Sequence, residues 1–281
     1  MTSDQSPSTQ QARAGDNIKP AATIVLVRDS DDGKEANQPR LQAAMIERAE
    51  TMAFAGGATV FPGGRIDKAD AAPHWRDRAD GLHADEALAA AQIAAIREAF
   101  EETGILLARP SASTDLLMDN DVRALDPWRD RVETDAAQFF ALTVEHDLRL
   151  CCDRLALFAH WIAPPGMNHR FDTLFFIARA PATQTLRQDG VEATSAVWLT
   201  PQAALAEAEA GTRRIIFPTA RNLELLTLSP TVDDAIASAR QRTIRPVIPG
   251  AELREGVLYY TIPDDLGYPI TRVPAMKSGG V

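Results

Sequence analysis

The chain has 281 residues, 45% of them hydrophobic, which is enough to bury a sizeable core in one large domain or two small ones. Its formal net charge of −10 leaves no basic surplus to neutralise a nucleic-acid backbone or an anionic membrane, which argues against polymer binding. The two cysteines, Cys151 and Cys152, are adjacent and poorly placed for a cross-link, no run has the apolar length of a membrane span, and the first residues lack the apolar stretch of a secretory signal, so a reduced, cytoplasmic protein is expected.

Residues 1–19 are rich in Ser, Gln, Thr and Asp with little to bury and read as a disordered tail, the fold beginning after Pro20. Ala22–Val27 and Leu41–Ile46 are short apolar runs flanking a polar, charged stretch, a pattern that predicts a hairpin with a long loop. Glycines and a proline then break the chain around a short strand at Thr59–Phe61. Residues 68–84 have no regular period and read as an inserted loop or short helix. From Glu86 to Glu102 good helix formers dominate, with Asp85 placed to cap the helix and Gly104 to end it.

Residues 115–150 read as a helical insertion of mixed polarity, with Phe139, Phe140, Leu142 and Leu148 offering an apolar face to a lid or a homodimer contact. Strands are predicted at Ala156–Ile162, Thr173–Ala178 and Ala196–Leu199, then helices from Thr200-Pro201 to Ala210 and over Thr219–Leu228. A C-terminal extension, 229–281, carries a helix at Val232–Gln241 and strands at Val247–Ile248 and Val257–Ile262, and is expected to pack on the preceding domain. Strands and helices are interspersed without strict βαβ alternation, so the expected fold is α/β with a mixed β-sheet and helices on both faces.

The most informative segment is the helix over 86–102. At about 100° per residue, Ile93, Ile96 and Phe100 share a core-facing side while Glu98, Glu101 and Glu102 cluster on the other. Like charges one turn apart cost a few tenths of a kcal/mol, roughly, and more when partly buried, a cost that a bound divalent cation removes. Hard oxygen ligands suit Mg²⁺ or Mn²⁺. Arg97, one turn before Glu101, is placed to hold a carboxylate by a bidentate bond. A solvated acidic helix face is the other reading of the same pattern.

Arg97-Glu98-Ala99-Phe100-Glu101-Glu102-Thr103-Gly104-Ile105 resembles the REUxEExGU half of the Nudix box, with Ala99 small for its position, and Gly64 resembles the glycine that opens the box. Gly64 and Arg97 lie 33 positions apart, about 19 more than in the compact motif, so the box carries an insertion. Its earlier glutamate, counted eight residues back from Arg97, falls on Ala89; Asp85, Glu86 and Asp67 are the candidates to replace it. Together with Val60–Gly64, Arg170–Ala178 and Val197–Pro201, the pattern over residues 20–228 is similar to a Nudix subgroup that includes the peroxisomal coenzyme A diphosphatases; the C-terminal Gly279-Gly280-Val281 is not a peroxisomal address.

The resemblance implies a Nudix-type α/β/α sandwich that hydrolyses a phosphoanhydride in a nucleotide-like small molecule, coenzyme A or acyl-CoA first. An ADP-ribose or dinucleotide pyrophosphatase and a non-catalytic nucleotide sensor are the alternatives. It further implies Mg²⁺ or Mn²⁺ held by Glu98, Glu101, Glu102 and the Gly64 carbonyl, with Glu98 and Arg97 at the chemistry: Glu98 as the base that activates water, Arg97 orienting a carboxylate. Glu192 is read as either an added acid near the metal or a surface glutamate. Arg170 is read as either a substrate-phosphate contact or an edge-strand arginine paired with Asp172 or a neighbour. Arg213, Arg214 and Arg221 are lesser phosphate candidates, and His160 is expected to be a satisfied interior residue.

Overall fold

The computed structural model describes residues 18–30, 41–52, 55–167 and 169–275. The expected N-terminal tail lies outside these residues as far as residue 17, as do the loop over 31–40 and the last residues from 276. Strand β1 (Ile18–Asp29) already contains Pro20, so the described fold reaches back into the stretch read as tail. It is followed by β2 (Leu41–Arg48), β3 (Thr59–Val60), β4 (Gly63–Arg65) and β5 (Ala79–Asp80), the last reached through a 3₁₀ turn at Pro73–Asp77.

Helix α1 (Glu86–Thr103) leads into β6 (Ala108–Pro110) and then three short helices, α2 (Asp119–Arg123), α3 (Arg129–Thr134) and α4 (Ala137–Glu145). Strand β7 (Leu148–Cys151) ends the insertion, so that region is not wholly helical: β7 joins β5 and β6 in a small separate sheet. The chain continues through β8 (Ala156–Ile162), β9 (Arg170–Arg179), β10 (Ala193–Leu199), α5 (Pro201–Glu209), α6 (Phe217–Leu226) and α7 (Val232–Gln241). Last come β11 (Pro246–Val247) and a three-stranded sheet of β12 (Gly250–Arg254), β13 (Val257–Thr261) and β14 (Arg272–Pro274).

The main sheet runs β10-β2-β1-β9-β8-β11, with β3 joined to β2 and β4 to β1. It is mixed as expected: β1 pairs with β9 in parallel and with β2 and β4 antiparallel. Strand β1 shows why the sheet needs cover on both faces. Ala22, Ile24 and Leu26 pack into one core with α1, while Val25 and Val27 pack into the other with α6 and α7, and all five are fully buried. The result is an α/β/α sandwich.

Burial of Ile93, Ile96 and Phe100, each 0% exposed, contributes roughly 1.5–3 kcal/mol per side chain. That is several times the repulsion between neighbouring glutamates, so packing fixes the rotation of α1 and with it the direction of the acidic face. Among the described residues no helix is long and apolar enough to cross a membrane.

Candidate active site

Local signals hold α1 in place at both ends. The Asp85 carboxylate accepts the Leu88 N–H at 3.0 Å, and Gly104, at φ 65°, takes the left-handed conformation that lets its N–H reach the Phe100 carbonyl at 3.0 Å. Asp85 is thereby engaged as a cap, and Glu86 is exposed in the first turn, so neither replaces the missing box glutamate.

The acidic side of α1 is not solvated. Glu102 is 3% and Glu101 9% exposed, because β4 lies over this face. Gly63 donates its N–H to Glu102 Oε2 at 2.8 Å. Gly64 lies against Glu98: a Cβ there would sit 2.5 Å from Glu98 Oε1, which explains the glycine by close approach. Sequence reasoning thus placed Gly64 beside the three glutamates, and the structure brings all four together.

Arg97 organises the cluster. Its Nε and Nη2 grip both oxygens of Asp70 at 2.9 and 3.0 Å, its Nη1 reaches Glu101 Oε1 at 2.6 Å and Glu98 Oε1 at 2.9 Å, and Nη2 also donates to the Arg65 carbonyl at 2.9 Å. Asp70, 2% exposed, was not among the expected site residues. The signal for it was present: six positions forward of Gly64, where the compact box has its first glutamate, stands Asp70. Counting back from Arg97 passed through the insertion and landed on Ala89. Asp67 instead sets the turn, its N–H donating to Asp70 Oδ2 at 2.8 Å.

Gly63, Gly64, Arg97 and the three glutamates, with Asp70 behind them, line a cavity of about 830 Å³ that opens over the sheet. Its floor follows the strand alternation: Ala21 and Thr23 of β1 and Phe171, Thr173 and Phe175 of β9 line it. Trp161, Ile162 and Met167 add apolar surface. Glu192 lines the cavity too, its Oε2 3.6 Å from Arg48 Nη2, while Arg48 Nη1 is 3.3 Å from Glu102 Oε1. One arginine therefore bridges Glu192 to the helix.

Arg170 is not among the cavity residues. Odd-numbered positions of β9 face the cavity, so Arg170 is turned away and donates from Nε and Nη2 to the Ala163 carbonyl at 3.1 and 2.9 Å. Its reading as a phosphate contact is corrected on that ground. Arg221 is buried on Glu224, and Arg213 pairs with Glu207 at 2.7 Å. Arg214 donates to the Gly56 carbonyl at 2.8 Å. His160 Nε2 is hydrogen-bonded to Asp172 Oδ1 at 2.5 Å, in keeping with a satisfied interior histidine.

Burial raises the carboxyls of Glu98 and Glu102 above their ordinary range, against the pull of Arg97 on the first and Arg48 on the second. Glu101 is pushed up to about 8, by burial first and the neighbouring Glu98 charge second. Asp70 is likewise raised by burial, despite its bonds to Arg97. Around Arg97 and Arg48 stand five acids, Asp70, Glu98, Glu101, Glu102 and Glu192, so negative charge is in excess in a partly dehydrated pocket.

That donor set fits a hard divalent cation. Each of Glu98 and Glu101 has one oxygen on Arg97 and a second without a protein partner among the described residues. Among the described residues no group of three or more Asp, Glu, His or Cys side chains is arranged to hold a metal ion by itself; Mg²⁺ commonly takes one or two carboxylates and completes its shell with water and phosphate oxygens.

The insertion reaches the same helix from behind. Arg129 of α3, 8% exposed, donates from Nε and Nη2 to the Glu101 carbonyl at 3.0 and 2.7 Å, and from Nη2 to the Arg187 carbonyl at 3.1 Å. It ties the C-terminal turn of α1 to the segment that leads to Glu192.

Comparison with known proteins identifies the family. The family model described as the NUDT19 Nudix domain matches residues 78–223. An acyl-coenzyme A diphosphatase NUDT19 from Xenopus laevis is 26% identical over 310 residues, covering 89% of this chain and 81% of its own. The human protein of that name is 27% identical over 234 residues, covering 66% of this chain and 62% of its own. Among solved structures, a NUDIX hydrolase from Alicyclobacillus acidocaldarius superposes with a TM-score of 0.66 at 26% identity, over 80% of this chain and 97% of that one.

Proposed function

The chain belongs to the NUDT19 Nudix domain family and is a Nudix hydrolase, and from that premise we propose that it cleaves the diphosphate of coenzyme A or an acyl-CoA in a reaction dependent on Mg²⁺ or Mn²⁺. The observation that carries this reading is the excess of buried carboxylates opening into one end of a cavity whose floor is apolar and aromatic. The acidic end suits a cation-bridged diphosphate. The surface of Trp161, Ile162, Met167 and Phe171 suits the uncharged remainder of such a substrate.

A divalent cation bound there would neutralise charge on the phosphoryl oxygens and lower the pKa of bound water. The residues supply positioning. Asp70 and the Arg65 carbonyl hold the Arg97 guanidinium, which in turn orients Glu98 and Glu101. Gly63 fixes Glu102 through its N–H, and the missing side chain of Gly64 leaves room for the Glu98 carboxylate, which in this reading takes the proton from the attacking water. Arg48 holds Glu102 and Glu192 on the opposite side.

The test is a substrate panel with Mg²⁺ or Mn²⁺: coenzyme A, an acyl-CoA, ADP-ribose and a dinucleotide, with products identified by mass. The expected result is fastest turnover of the coenzyme A compounds, giving a phosphopantetheine fragment and adenosine 3′,5′-bisphosphate. Preference for ADP-ribose or a dinucleotide would move the substrate assignment, and tight nucleotide binding with no turnover of any compound would contradict the proposed reaction.

A further inference from the structure

The cavity has a second charged corner, opposite in sign to the first. Of the four lysines in the chain, Lys19 and Lys68 are the two within the described residues, and both line this cavity together with Arg65. Backbone pairing brings the three together. Arg65 of β4 pairs with Ala21 of β1, and Lys19 lies two positions along β1 on the same face. The Ile66 N–H then donates to the Pro20 carbonyl at 3.1 Å, holding the turn that carries Lys68 against the same edge.

Among the described residues none of these three side chains has a carboxylate partner, in contrast to Arg48, Arg97, Arg187 and Arg213. The acid of the corner, Asp67, accepts the Ala69 N–H at 2.8 Å and closes its own turn. Three cations without a carboxylate partner among the described residues, gathered on one side of the cavity, can pair there with an anionic group of a ligand.

The diphosphate itself belongs at the level of Gly64 and the glutamates. Gly64 pairs with Ala22, three residues from Lys19, which places the lysine about 10 Å along the strand from the cleavage site. Two phosphate groups on one sugar lie closer together than that, and the extended side chain of the lysine covers the remainder. We propose that Lys19, Arg65 and Lys68 form a subsite for a second anionic group, a phosphomonoester on the sugar of the nucleotide half, and so select diphosphates that bear one. This rests on the diphosphatase reading for the position of the scissile bond, and it adds the residues that set specificity at the same site.

The test is equilibrium binding, read by calorimetry on the full chain with Mg²⁺, of adenosine 3′,5′-bisphosphate against 5′-AMP. Charge-assisted hydrogen bonds to the extra phosphate are expected to make the bisphosphate bind about tenfold more tightly or better. Lys68→Gln and Arg65→Gln should each lower that ratio, the double variant should bring it near one, and Lys68→Arg should restore much of it. Equal affinity of the wild type for the two ligands, or proportionate weakening of both by the variants, would overturn the subsite. Turnover separates this from the reaction: a protein that keeps the binding ratio but cleaves no diphosphate retains the subsite and loses the proposed activity. One that cleaves coenzyme A and its 3′-dephospho form with equal kcat/KM retains the activity and loses the subsite.

Discussion

Two buried arginine–glutamate clusters on helices of this protein have opposite charge balance. On α6, Arg221 and Glu224 form a one-to-one pair at 2.6 Å, with side chains 6% and 10% exposed and the guanidinium over the Phe217 ring. On α1, Arg97 faces Asp70, Glu98 and Glu101 at once, with Glu102 and Glu192 beyond on Arg48. The first cluster balances its charge one to one, although Arg221 Nε and Glu224 Oε2 are buried without a hydrogen-bond partner among the described residues, and it is buried. The second does not balance, and it opens into a cavity. Burial with balanced charge is a structural element, whereas burial with surplus acid costs stability that protonation or a ligand of opposite charge can offset.

Removing one partner from the balanced pair should have the largest effect on folding. Arg221→Met leaves Glu224 buried and alone, and the expected loss is about 3–5 kcal/mol in denaturant unfolding, with kcat/KM of the folded protein unchanged. A drop in kcat/KM without a loss of stability would erase the contrast between the clusters. Glu102→Gln should do the reverse. It removes one of the repelling charges while keeping an oxygen for the Gly63 N–H, so the melting temperature without metal should rise while turnover falls roughly a hundredfold or more, at least the upper range for an outer-shell partner of a metal ligand.

Asp70→Asn loosens Arg97 without touching the acids it orients, and roughly a 10- to 100-fold loss in kcat is expected, mostly regained with a restored carboxylate in Asp70→Glu. The smallest effect is in the pH dependence of the balanced pair. Burial pushes Glu224 up to about 7 from an ordinary value of 4.5, against the pull of Arg221, so between those values the folded protein binds more protons than the unfolded chain. Its contribution to stability is full below about 4.5 and is lost as pH rises through about 7. Glu224→Gln should flatten the stability profile in that window, as read from denaturation midpoints; an unchanged slope would show that the pair does not titrate there.

The sequence revealed what local rules dictate and missed what the tertiary fold supplies. The Asp85 cap, the Gly104 terminus and the three-residue apolar stripe were legible because each acts within one helix. Gly64 was legible through a motif. Asp70 was not, since the insertion broke the spacing behind it while leaving the spacing ahead intact, and only the bidentate bond to Arg97 shows which count survives. Arg170 was left open between a substrate contact and a strand arginine held by a neighbour, and period-two alternation decides for the second by turning it away from the cavity that Phe171 lines. Arg129 and Arg48 gave no local signal at all. Their roles come from segments 28 and 54 positions distant in the chain from the glutamates they hold. The helical reading of 115–150 missed β7 because that strand's partners, β5 and β6, flank α1 in the chain, and its four residues are too short to show an alternating pattern against the helices before them.

The central claim is that surplus acid on α1 is a cation site, and titration of Mn²⁺ into the wild type and Glu102→Gln, followed by calorimetry at constant pH, tests it most directly. Saturable binding to the wild type is expected, with an affinity at least about tenfold weaker in the variant. Equal affinity in the two proteins, or no saturable binding to the wild type with or without a nucleotide diphosphate present, would contradict it.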